Sequence, residues 1–446
     1  MLPGLLAEVL QKDPVAVLRE NARLYGDLVH FRSFAGHVYQ FNHPTLIGEI
    51  MIDHERRNRR AMVLQRARAL LGEGLLTSEE PLHMRQRRLA APAFHRQRIA
   101  AYGEVISRYA AEVVEGWQPG VRNVHPEMLM VALRIVGKCL FDIDSVEEAE
   151  RIAAAMRTFM EQRPLPSWIP GRVLEKLQNV RVGPMQTIWR GIEALDGILY
   201  GLIAERRRSP GDRGDLLSML MESEDTEEMA AGSGLGTAER RMSDKQVRDE
   251  CLTVLLAGHE TTANALSFTL WTLARHPEVQ ERAHREAVEV LGAGRPKAED
   301  YPRLRYTYGV FAEAMRLYPT VWVLGRSCGP EPYDFHGYRI EPGATLLAPQ
   351  IVAHRDPRFW EDPEVFRPER FAEEGKRPKF SYFPFGGGTR QCIGEGLAWM
   401  EGVFVLATIL RDWRLRPAPG EPEELPMTST VNLRPARGVR LLLERR

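Results

Sequence analysis

The feature that most constrains the fold is the stretch 243–277, which has the pattern of one long helix. Ser243 followed by Gln246 is a helix-capping pair, and Pro277 after His276 marks the far end. A helix of about 32 residues is ~48 Å long at about 1.5 Å per residue, so it can cross a whole domain. The stretch is apolar on several sides. We therefore expect a large core built around a mostly buried helix.

The remaining periodicity predicts further helices and a few short strands. Residues 99–117 and 188–207 carry apolar side chains at three- and four-residue spacing, which is typical of amphipathic helices. Residues 321–328, 333–340 and 345–351 are apolar or β-branched and are bounded by Gly and Pro. The expected fold class is therefore mainly α with small antiparallel β-sheets.

Composition excludes several classes of protein. The chain has 446 residues, of which 44% are hydrophobic and 27% charged, so it is neither disordered nor fibrous. Lys plus Arg and Asp plus Glu both number 60, so no global charge favours nucleic acid or an anionic membrane. We expect a single domain over residues 1–446. Residues 222–242, rich in Gly, Ser and Glu, are expected to form a mobile surface loop.

Cysteine usage and the N-terminus indicate a cytoplasmic protein. The four cysteines lie far apart, without a C-x-x-C pair, which argues against zinc ribbons, iron–sulfur clusters and disulfides. The apolar stretch 1–10 is too short to span a membrane and lacks a signal-peptide cleavage site. We expect a soluble cytoplasmic protein without a membrane span. Whether a membrane anchor has been removed remains open.

The segment Phe385-Gly-Gly-Gly-Thr-Arg-Gln-Cys-Ile-Gly394 carries the clearest chemical signal, because a helix-like stretch follows it directly. A cysteine at a helix N-terminus meets unpaired N–H groups and the positive end of the helix dipole, which favour the thiolate. Neither a second Cys nor a His lies nearby at ligand spacing. A single axial bond from Cys392 to a haem iron fits this pattern better than a protein-only metal cage. The glycines would let the backbone approach a flat cofactor.

This segment resembles the haem-binding signature of the cytochrome P450 superfamily, F-x-x-G-x-R-x-C-x-G. By that resemblance Cys392 is the iron ligand, and Phe385, Arg390 and Gly394 belong to the cofactor site. Two further motifs resemble the family's E-x-x-R pair and the motif that supplies its second arginine; their residues are Glu313, Arg316 and Arg370. The resemblance implies that this carboxylate holds two guanidiniums and fixes the cysteine loop.

The polar sequence Ala257-Gly-His-Glu-Thr261 within the long helix resembles the family's oxygen-activation motif. Splitting dioxygen requires protons, so a hydroxyl that organises water and a carboxylate that relays protons are expected there. The resemblance gives these catalytic roles to Thr261 and Glu260. Ala257 and Gly258 would line the cofactor, and Gly258 would leave room for dioxygen and allow a local helix bulge.

Basic side chains are implied to hold the haem propionates. The motif W-x-x-x-R of the family corresponds to His83-Met-Arg-Gln-Arg87, with His83 in place of tryptophan. Arg87, Arg390 and Arg326 are the expected propionate ligands, since a guanidinium fork suits a carboxylate. Whether His83 also contacts a propionate is left open.

The motifs lie in family order between residues 83 and 394, so the resemblance implies the whole fold, one domain around a buried haem b. The implied reaction inserts one atom of dioxygen into an apolar small molecule by hydroxylation or epoxidation. Electrons would come from NAD(P)H through a ferredoxin- or flavodoxin-type partner. Such an acidic carrier could dock on basic residues near the thiolate side, and we expect a monomer. The candidate docking residues are Arg85, Arg87, Arg88, Arg96, Arg98, Lys376, Arg377 and Lys379.

Two other readings stay open. A peroxide-dependent peroxygenase or an isomerase would keep Cys392 but tend to lose the pair of acid and threonine. A haem-binding sensor or electron-transfer protein would need no substrate pocket. The sequence does not distinguish fatty acids, terpenoids, carotenoids or other apolar molecules as substrates, nor does it identify the redox partner.

Overall fold

The computed structural model of the chain describes residues 13–33, 36–160, 184–224, 241–372 and 377–446. Its helices are α1 Pro14–Tyr25, α2 Pro44–Gly48, α3 Met62–Leu71, α4 Leu82–Ala90, α5 Arg96–Glu115, α6 His125–Phe141, α7 Val146–Met160, α8 Pro184–Arg208, α9 Leu216–Glu222, α10 Asp244–Leu273, α11 Pro277–Leu291, α12 Arg305–Leu317, α13 Gln350–Ala353 and α14 Glu395–Asp412. Its strands are β1 Leu28–Ser33, β2 Gly36–Phe41, β3 Asn58–Arg60, β4 Gly120–Asn123, β5 Leu324–Cys328, β6 Tyr333–Phe335, β7 Tyr338–Ile340, β8 Thr345–Ala348, β9 Trp413–Pro417, β10 Met427–Ser429, β11 Leu433–Pro435 and β12 Arg440–Arg445. The expected fold class, mainly α with small antiparallel sheets, is confirmed.

The long helix predicted from the sequence is α10, which has 30 residues. The capping pair is confirmed, because the Ser243 backbone N–H donates to Gln246 Oε1 at 2.9 Å and the Gln246 N–H donates to Ser243 Oγ at 3.3 Å. The helix ends at Leu273, slightly before the predicted boundary at Pro277. Most of α10 is buried, as its apolar composition predicts.

The strands form four small sheets. The largest has the order β1-β2-β8-β5-β3, and the others pair β4-β12-β9, β10-β11 and β6-β7. Strands β2 and β8 are parallel, whereas the pairs β1–β2, β5–β8, β4–β12, β9–β12, β10–β11 and β6–β7 are antiparallel. The predicted strand 345–351 ends at Ala348, because Pro349 has no N–H to donate and caps α13 instead.

The predicted strand 333–340 is divided into β6 and β7 by a tight turn. His336 and Gly337 both have positive φ, +47° and +80°, as a two-residue hairpin turn requires. The hairpin therefore reverses the chain where the sequence was expected to continue as one strand.

The chain divides into two compact units. One comprises Met1–Arg59, Ala100–Ala132 and Glu260–Arg446, and the other comprises Arg60–Ile99 and Leu133–His259. The boundary falls inside α10, between His259 and Glu260. The first unit contains an aromatic and aliphatic cluster around its five-stranded sheet, and α14 is almost entirely buried in it. In the second unit, α7 packs against α8.

Two expectations concern regions that the structure describes only in part. The loop expected at 222–242 lies largely outside the described residues, which stop at Glu224 and resume at Arg241. Those two residues form an isolated antiparallel bridge, and Arg241 Nε donates to Glu224 Oε1 at 2.6 Å. The expectation of one domain over residues 1–446 stays a prediction. Among the described residues, no helix is both long enough and apolar enough to cross a bilayer.

Candidate active site

Residues 385–394 form a tight loop in front of α14. The Cys392 backbone N–H donates to the Phe385 carbonyl at 2.9 Å and closes the loop. Gly388 adopts a φ of +72°, which disfavours any residue with a side chain. A Cβ on Gly388 would also collide with the Met51 carbonyl oxygen. The glycine is therefore required for the path of this loop.

Cys392 is the exposed thiol of the chain, whereas Cys139, Cys251 and Cys328 are buried. It precedes the first residue of α14, Glu395, by three positions, so it lies near the unpaired N–H groups of that helix. That position favours a negative charge on sulfur. Burial raises the pKa of the Cys251 and Cys328 thiols and so disfavours their anions. Among the four cysteines, Cys392 is therefore the one best suited to bind the metal ion of a cofactor, because its thiol is accessible.

The structure brings Glu313, Arg316 and Arg370 together in the core of the first unit. Arg316 donates to both oxygens of Glu313 at 2.7 Å, and Arg370 Nε donates to Glu313 Oε1 at 3.2 Å. Glu313 and Arg316 are both 0% exposed. Burial lowers the pKa of Arg370, and the carboxylate of Glu313 opposes that effect. The arrangement is a bidentate ion pair with a second guanidinium on the same carboxylate.

This ionic cluster is linked to the loop that carries Cys392. Arg316 Nη1 donates to the His354 carbonyl at 2.9 Å. The ring Nε2 of His354 accepts from the Phe383 backbone N–H at 3.0 Å, two residues before Phe385. Burial, together with the charges of Arg316 and Arg355, lowers the pKa of His354, so its ring is a neutral acceptor. The ion pair therefore anchors the chain where it enters the cysteine loop.

An accessible strip of small residues interrupts the buried surface of α10. Ala257 is exposed and Gly258 and Thr261 are half-buried, whereas every other residue of the helix from Val247 to Leu273 is buried. Ala257 and Thr261 are four residues apart and so lie on one face of the helix. The strip coincides with the predicted oxygen-activation motif.

The bulge expected at Gly258 does not form. The helix is continuous α-helix from Asp244 to Leu273. A Cβ on Gly258 would lie 3.0 Å from Val136 Cγ2, so its small size allows α6 to approach α10 closely. The close packing of α6 on α10 accounts for a glycine at this position, and the backbone hydrogen bonds of α10 continue through it.

Glu260 is buried, with 8% of its surface exposed, and is held by the β10–β11 hairpin. Its Oε2 accepts a hydrogen bond from Asn432 Nδ2 at 2.8 Å, and its Oε1 lies 3.8 Å from Arg434 Nη1. Asn432 and Arg434 are residues of the site that the sequence motifs do not reveal. Neither belongs to a motif, and each lies more than a hundred residues along the chain, so local spacing contains no signal for them.

The basic residues expected to bind the haem propionates lie in separate elements. In the second unit, His83 and Arg87 lie one turn apart on α4, with His83 buried and Arg87 half-buried. In the first unit, Arg326 lies on β5, where Nη1 donates to the Gly325 carbonyl at 3.0 Å. Arg390, also in the first unit, is half-buried in the short turn before Cys392.

The remaining two residues expected at the cofactor support the loop and its helix. The ring of Phe385 packs against Trp399 of α14 with centroids 5.4 Å apart. The carbonyl of Gly394 accepts the N–H of Ala398 at 2.9 Å and begins the helical hydrogen-bond ladder. Both residues therefore fix the direction of α14 behind the thiol.

The residue types in these elements fit a haem b. An accessible cysteine at a helix N-terminus suits a single soft iron ligand. The small-residue strip of α10 can approach a flat porphyrin, and guanidinium forks suit its propionates. Within the described ranges, no cluster of three or more His, Cys, Asp and Glu side chains is arranged to bind a metal ion.

Comparison with known proteins identifies the family. Residues 2–443 match the family model described as Cytochrome P450. Cyclooctatin synthase from Streptomyces melanosporofaciens is 36% identical over 401 residues, which covers 89% of this chain and 84% of the relative. Cyclooctat-9-en-7-ol 5-monooxygenase from the same organism is 35% identical, with 89% and 84% covered. Pentalenene oxygenase from Streptomyces avermitilis is 30% identical, with 89% and 85% covered.

The match extends over nearly the whole chain, and the cysteine loop, the buried ion pair and the polar motif of α10 all lie within it. Haem is the cofactor of this family, and dioxygen is its co-substrate. The chain therefore belongs to the cytochrome P450 family and is an oxidoreductase of the monooxygenase class.

Proposed function

We propose that this monooxygenase hydroxylates or epoxidises an apolar substrate of the terpene class. The names of two relatives specify cyclooctat-9-en-7-ol and pentalenene as the molecules oxidised. The observation that carries the reaction type is the exposed thiol of Cys392 in a glycine-dependent loop anchored by a buried ion pair. The relatives support the substrate class.

Cys392 is the residue that would bind the haem iron through its thiolate. When bound, the haem supplies the activation of dioxygen, and a thiolate ligand increases the electron density at its iron. The protein contributes a fixed sulfur position, because Glu313, Arg316 and His354 hold the chain that enters the loop. This anchoring is a structural role.

The propionates are the proposed partners of Arg87, Arg326 and Arg390, with His83 as a further candidate on the same helix face as Arg87. A guanidinium can donate two parallel hydrogen bonds to one carboxylate, which orients the porphyrin as well as binding it. Ala257 and Gly258 are proposed to face the cofactor, because they are accessible small residues on an otherwise buried helix.

Thr261 and Glu260 are the proposed proton-handling residues. The Thr261 hydroxyl lies on the accessible strip, where it can donate to and accept from water. The Glu260 carboxylate is adjacent in sequence and can give up or take up a proton at either oxygen. Asn432 and Arg434 hold that carboxylate in place.

Electrons are proposed to come from NAD(P)H through an acidic ferredoxin- or flavodoxin-type protein, with the enzyme acting as a monomer. The structure corrects one expected docking residue: Arg85 is buried, so it cannot meet a partner at the surface. Arg96 and Lys379 are exposed and stay candidates. Lys376 lies outside the described residues.

The carbon monoxide spectrum of the reduced protein tests the iron ligand. We expect the strongly red-shifted Soret band of a thiolate ligand, and we expect Cys392→Ser to lose it. Cys139→Ser is the matched control, because that thiol is buried, and its spectrum should be unchanged. A histidine-type spectrum of the unmodified protein would refute the assignment.

Substrate-binding difference spectra test the substrate class. Cyclic terpenes and terpene alcohols are expected to shift the Soret band of the haem-loaded protein at lower concentration than fatty acids or steroids of similar size. Preferential binding of fatty acids would contradict the terpene assignment while leaving the reaction type intact.

A further inference from the structure

Three polar side chains lie on one buried face of α10. Glu260, Asn264 and Ser267 are spaced four and three residues apart, so they follow one another along the helix surface. We call these three residues the polar stripe. Each is at least nine-tenths buried. A buried polar atom needs a hydrogen-bond partner, so each member of the stripe can be checked for one.

The two ends of the polar stripe have partners. At one end, Glu260 is held by Asn432 and Arg434. At the other, the Ser267 hydroxyl donates to the Ala263 carbonyl at 2.7 Å and lies 3.0 Å from His125 Nδ1. Because the Ser267 proton is already engaged, His125 Nδ1 must be the donor in that contact.

His125 is neutral in this environment. Burial, together with the positive charge of Arg434, lowers its pKa to about 4. A neutral ring with the proton on Nδ1 agrees with the hydrogen bond that Ser267 accepts. The same guanidinium thus acts electrostatically on the Glu260 end and on the Ser267 end of the polar stripe.

Asn264, in the middle of the polar stripe, has no such partner. Its side chain is 0% exposed, and neither Oδ1 nor Nδ2 has a hydrogen-bond partner among the described residues. An amide buried without partners costs about 1–3 kcal/mol per group. Buried water usually satisfies such groups and makes about three hydrogen bonds when it does.

The spacing of the polar stripe suits one water molecule beside Asn264. Side chains four residues apart on a helix have Cβ atoms about 5–6 Å apart. A water that bridges two polar atoms spans about 5.6 Å, because each hydrogen bond is about 2.8 Å long. A water bound to the Asn264 amide can therefore reach the Glu260 carboxylate one helical turn away.

We propose that Asn264 is a positioning residue whose buried amide binds an internal water molecule against the Glu260 carboxylate. This inference rests on the proposed proton-handling role of Glu260. The water gives the carboxylate a further hydrogen-bond donor, in addition to the contacts with Asn432 and Arg434 of the hairpin. It keeps Glu260 solvated and correctly oriented within a buried site.

A crystal structure of the haem-loaded protein at a resolution that shows water provides a readout independent of activity. We expect an ordered water within hydrogen-bond distance of the Asn264 amide and of one Glu260 oxygen. A dry site, or an Asn264 amide bonded directly to the protein, would overturn the proposal.

Coupling measurements provide the second readout. Asn264→Leu is nearly isosteric and removes both hydrogen-bonding ends, so the hydrogen peroxide released per NAD(P)H consumed should rise about fivefold or more. Its product formation should also slow more in D₂O than that of the unmodified protein. Asn264→Ser supplies a hydroxyl that can bind water, so its coupling should be closer to that of the unmodified protein. The serine variant can still be assayed if the leucine variant fails to fold.

Thr269→Val is the matched control on the same helix. Thr269 is also 0% exposed, but its hydroxyl is satisfied by the Ala265 carbonyl at 2.7 Å. This variant should keep the coupling and the D₂O response of the unmodified protein. An equal loss in Thr269→Val would show that any polar change in α10 uncouples the enzyme, and it would overturn the specific role of Asn264.

Glu260→Gln separates this inference from the proposed function. If Glu260→Gln uncouples the enzyme and Asn264→Leu does not, the water site fails while the proton role of Glu260 stands. If Glu260→Gln leaves coupling unchanged, the proton role itself fails, and the proposal for Asn264 fails with it.

Discussion

Replacing Glu250 with glutamine should remove a pH dependence of stability between about pH 5 and pH 8. Glu250 is completely buried on α10, where one oxygen accepts the Leu75 backbone N–H at 3.0 Å. Its other oxygen has no partner among the described residues. Burial, with a smaller contribution from the charge of Asp249, raises the pKa of the carboxyl from 4.5 to about 8, against the Leu75 hydrogen bond.

The sign follows from the protons bound in each state. Between pH 4.5 and about 8, the folded protein keeps a proton on Glu250 that the unfolded chain has lost. The stability contributed by this group is therefore complete below pH 4.5 and falls as the pH rises to about 8. The difference of about 3.5 pH units, at about 1.4 kcal/mol per unit, amounts to roughly 5 kcal/mol.

Urea unfolding of the unmodified protein and of Glu250→Gln, followed by circular dichroism at about pH 5, 6, 7 and 8, measures this effect. Glutamine cannot ionise, so the unfolding free energy of the variant should increase relative to the unmodified protein as the pH rises. Glu289→Gln removes an exposed carboxylate and is the control. A constant difference between the unmodified protein and Glu250→Gln over this range would refute the reasoning.

Two further predictions concern stability and are measured by thermal or urea unfolding. Gly402→Ala places a Cβ against the ring of Phe311 and should destabilise the protein by about 1–3 kcal/mol. Gly197 is exposed in a helix and has open space around it, so Gly197→Ala should stabilise the protein by about 0.5–1 kcal/mol. Similar effects in both variants would contradict this steric explanation. Glu313→Gln leaves Arg316 buried beside a neutral partner and should cost about 3–5 kcal/mol; a loss below 1 kcal/mol would show that the ion pair is not needed.

Local chemistry made several elements predictable from the sequence. The capping pair of Ser243 and Gln246 correctly placed the start of α10, because both hydrogen bonds join residues three apart. The spacing of Glu313 and Arg316 placed them on one face of α12 for the same reason. The cysteine motif located a loop in front of a helix, because glycine conformation and helix initiation are local properties.

Contacts between distant segments were not predictable. The parallel pairing of β2 with β8 joins strands about three hundred residues apart, and no turn motif specifies it. The close approach of Val136 to Gly258 is a contact between two helices, which local sequence does not show. The burial of Arg85 likewise depends on packing, since a run of arginines alone suggests a solvated surface.

The polar residues of α10 indicate why this helix needs remote partners. Apolar burial has no preferred direction, so it specifies the rotation of a buried helix only through the shapes of the packed side chains. Hydrogen bonds, in contrast, have a preferred direction. Glu250 bonds Leu75, Glu260 bonds Asn432 and Ser267 bonds His125, over sequence separations of 175, 172 and 142 residues. Within each compact unit, these directional contacts specify the rotation of the α10 segment that the unit contains: Glu250 does so in the second unit, and Glu260 and Ser267 do so in the first.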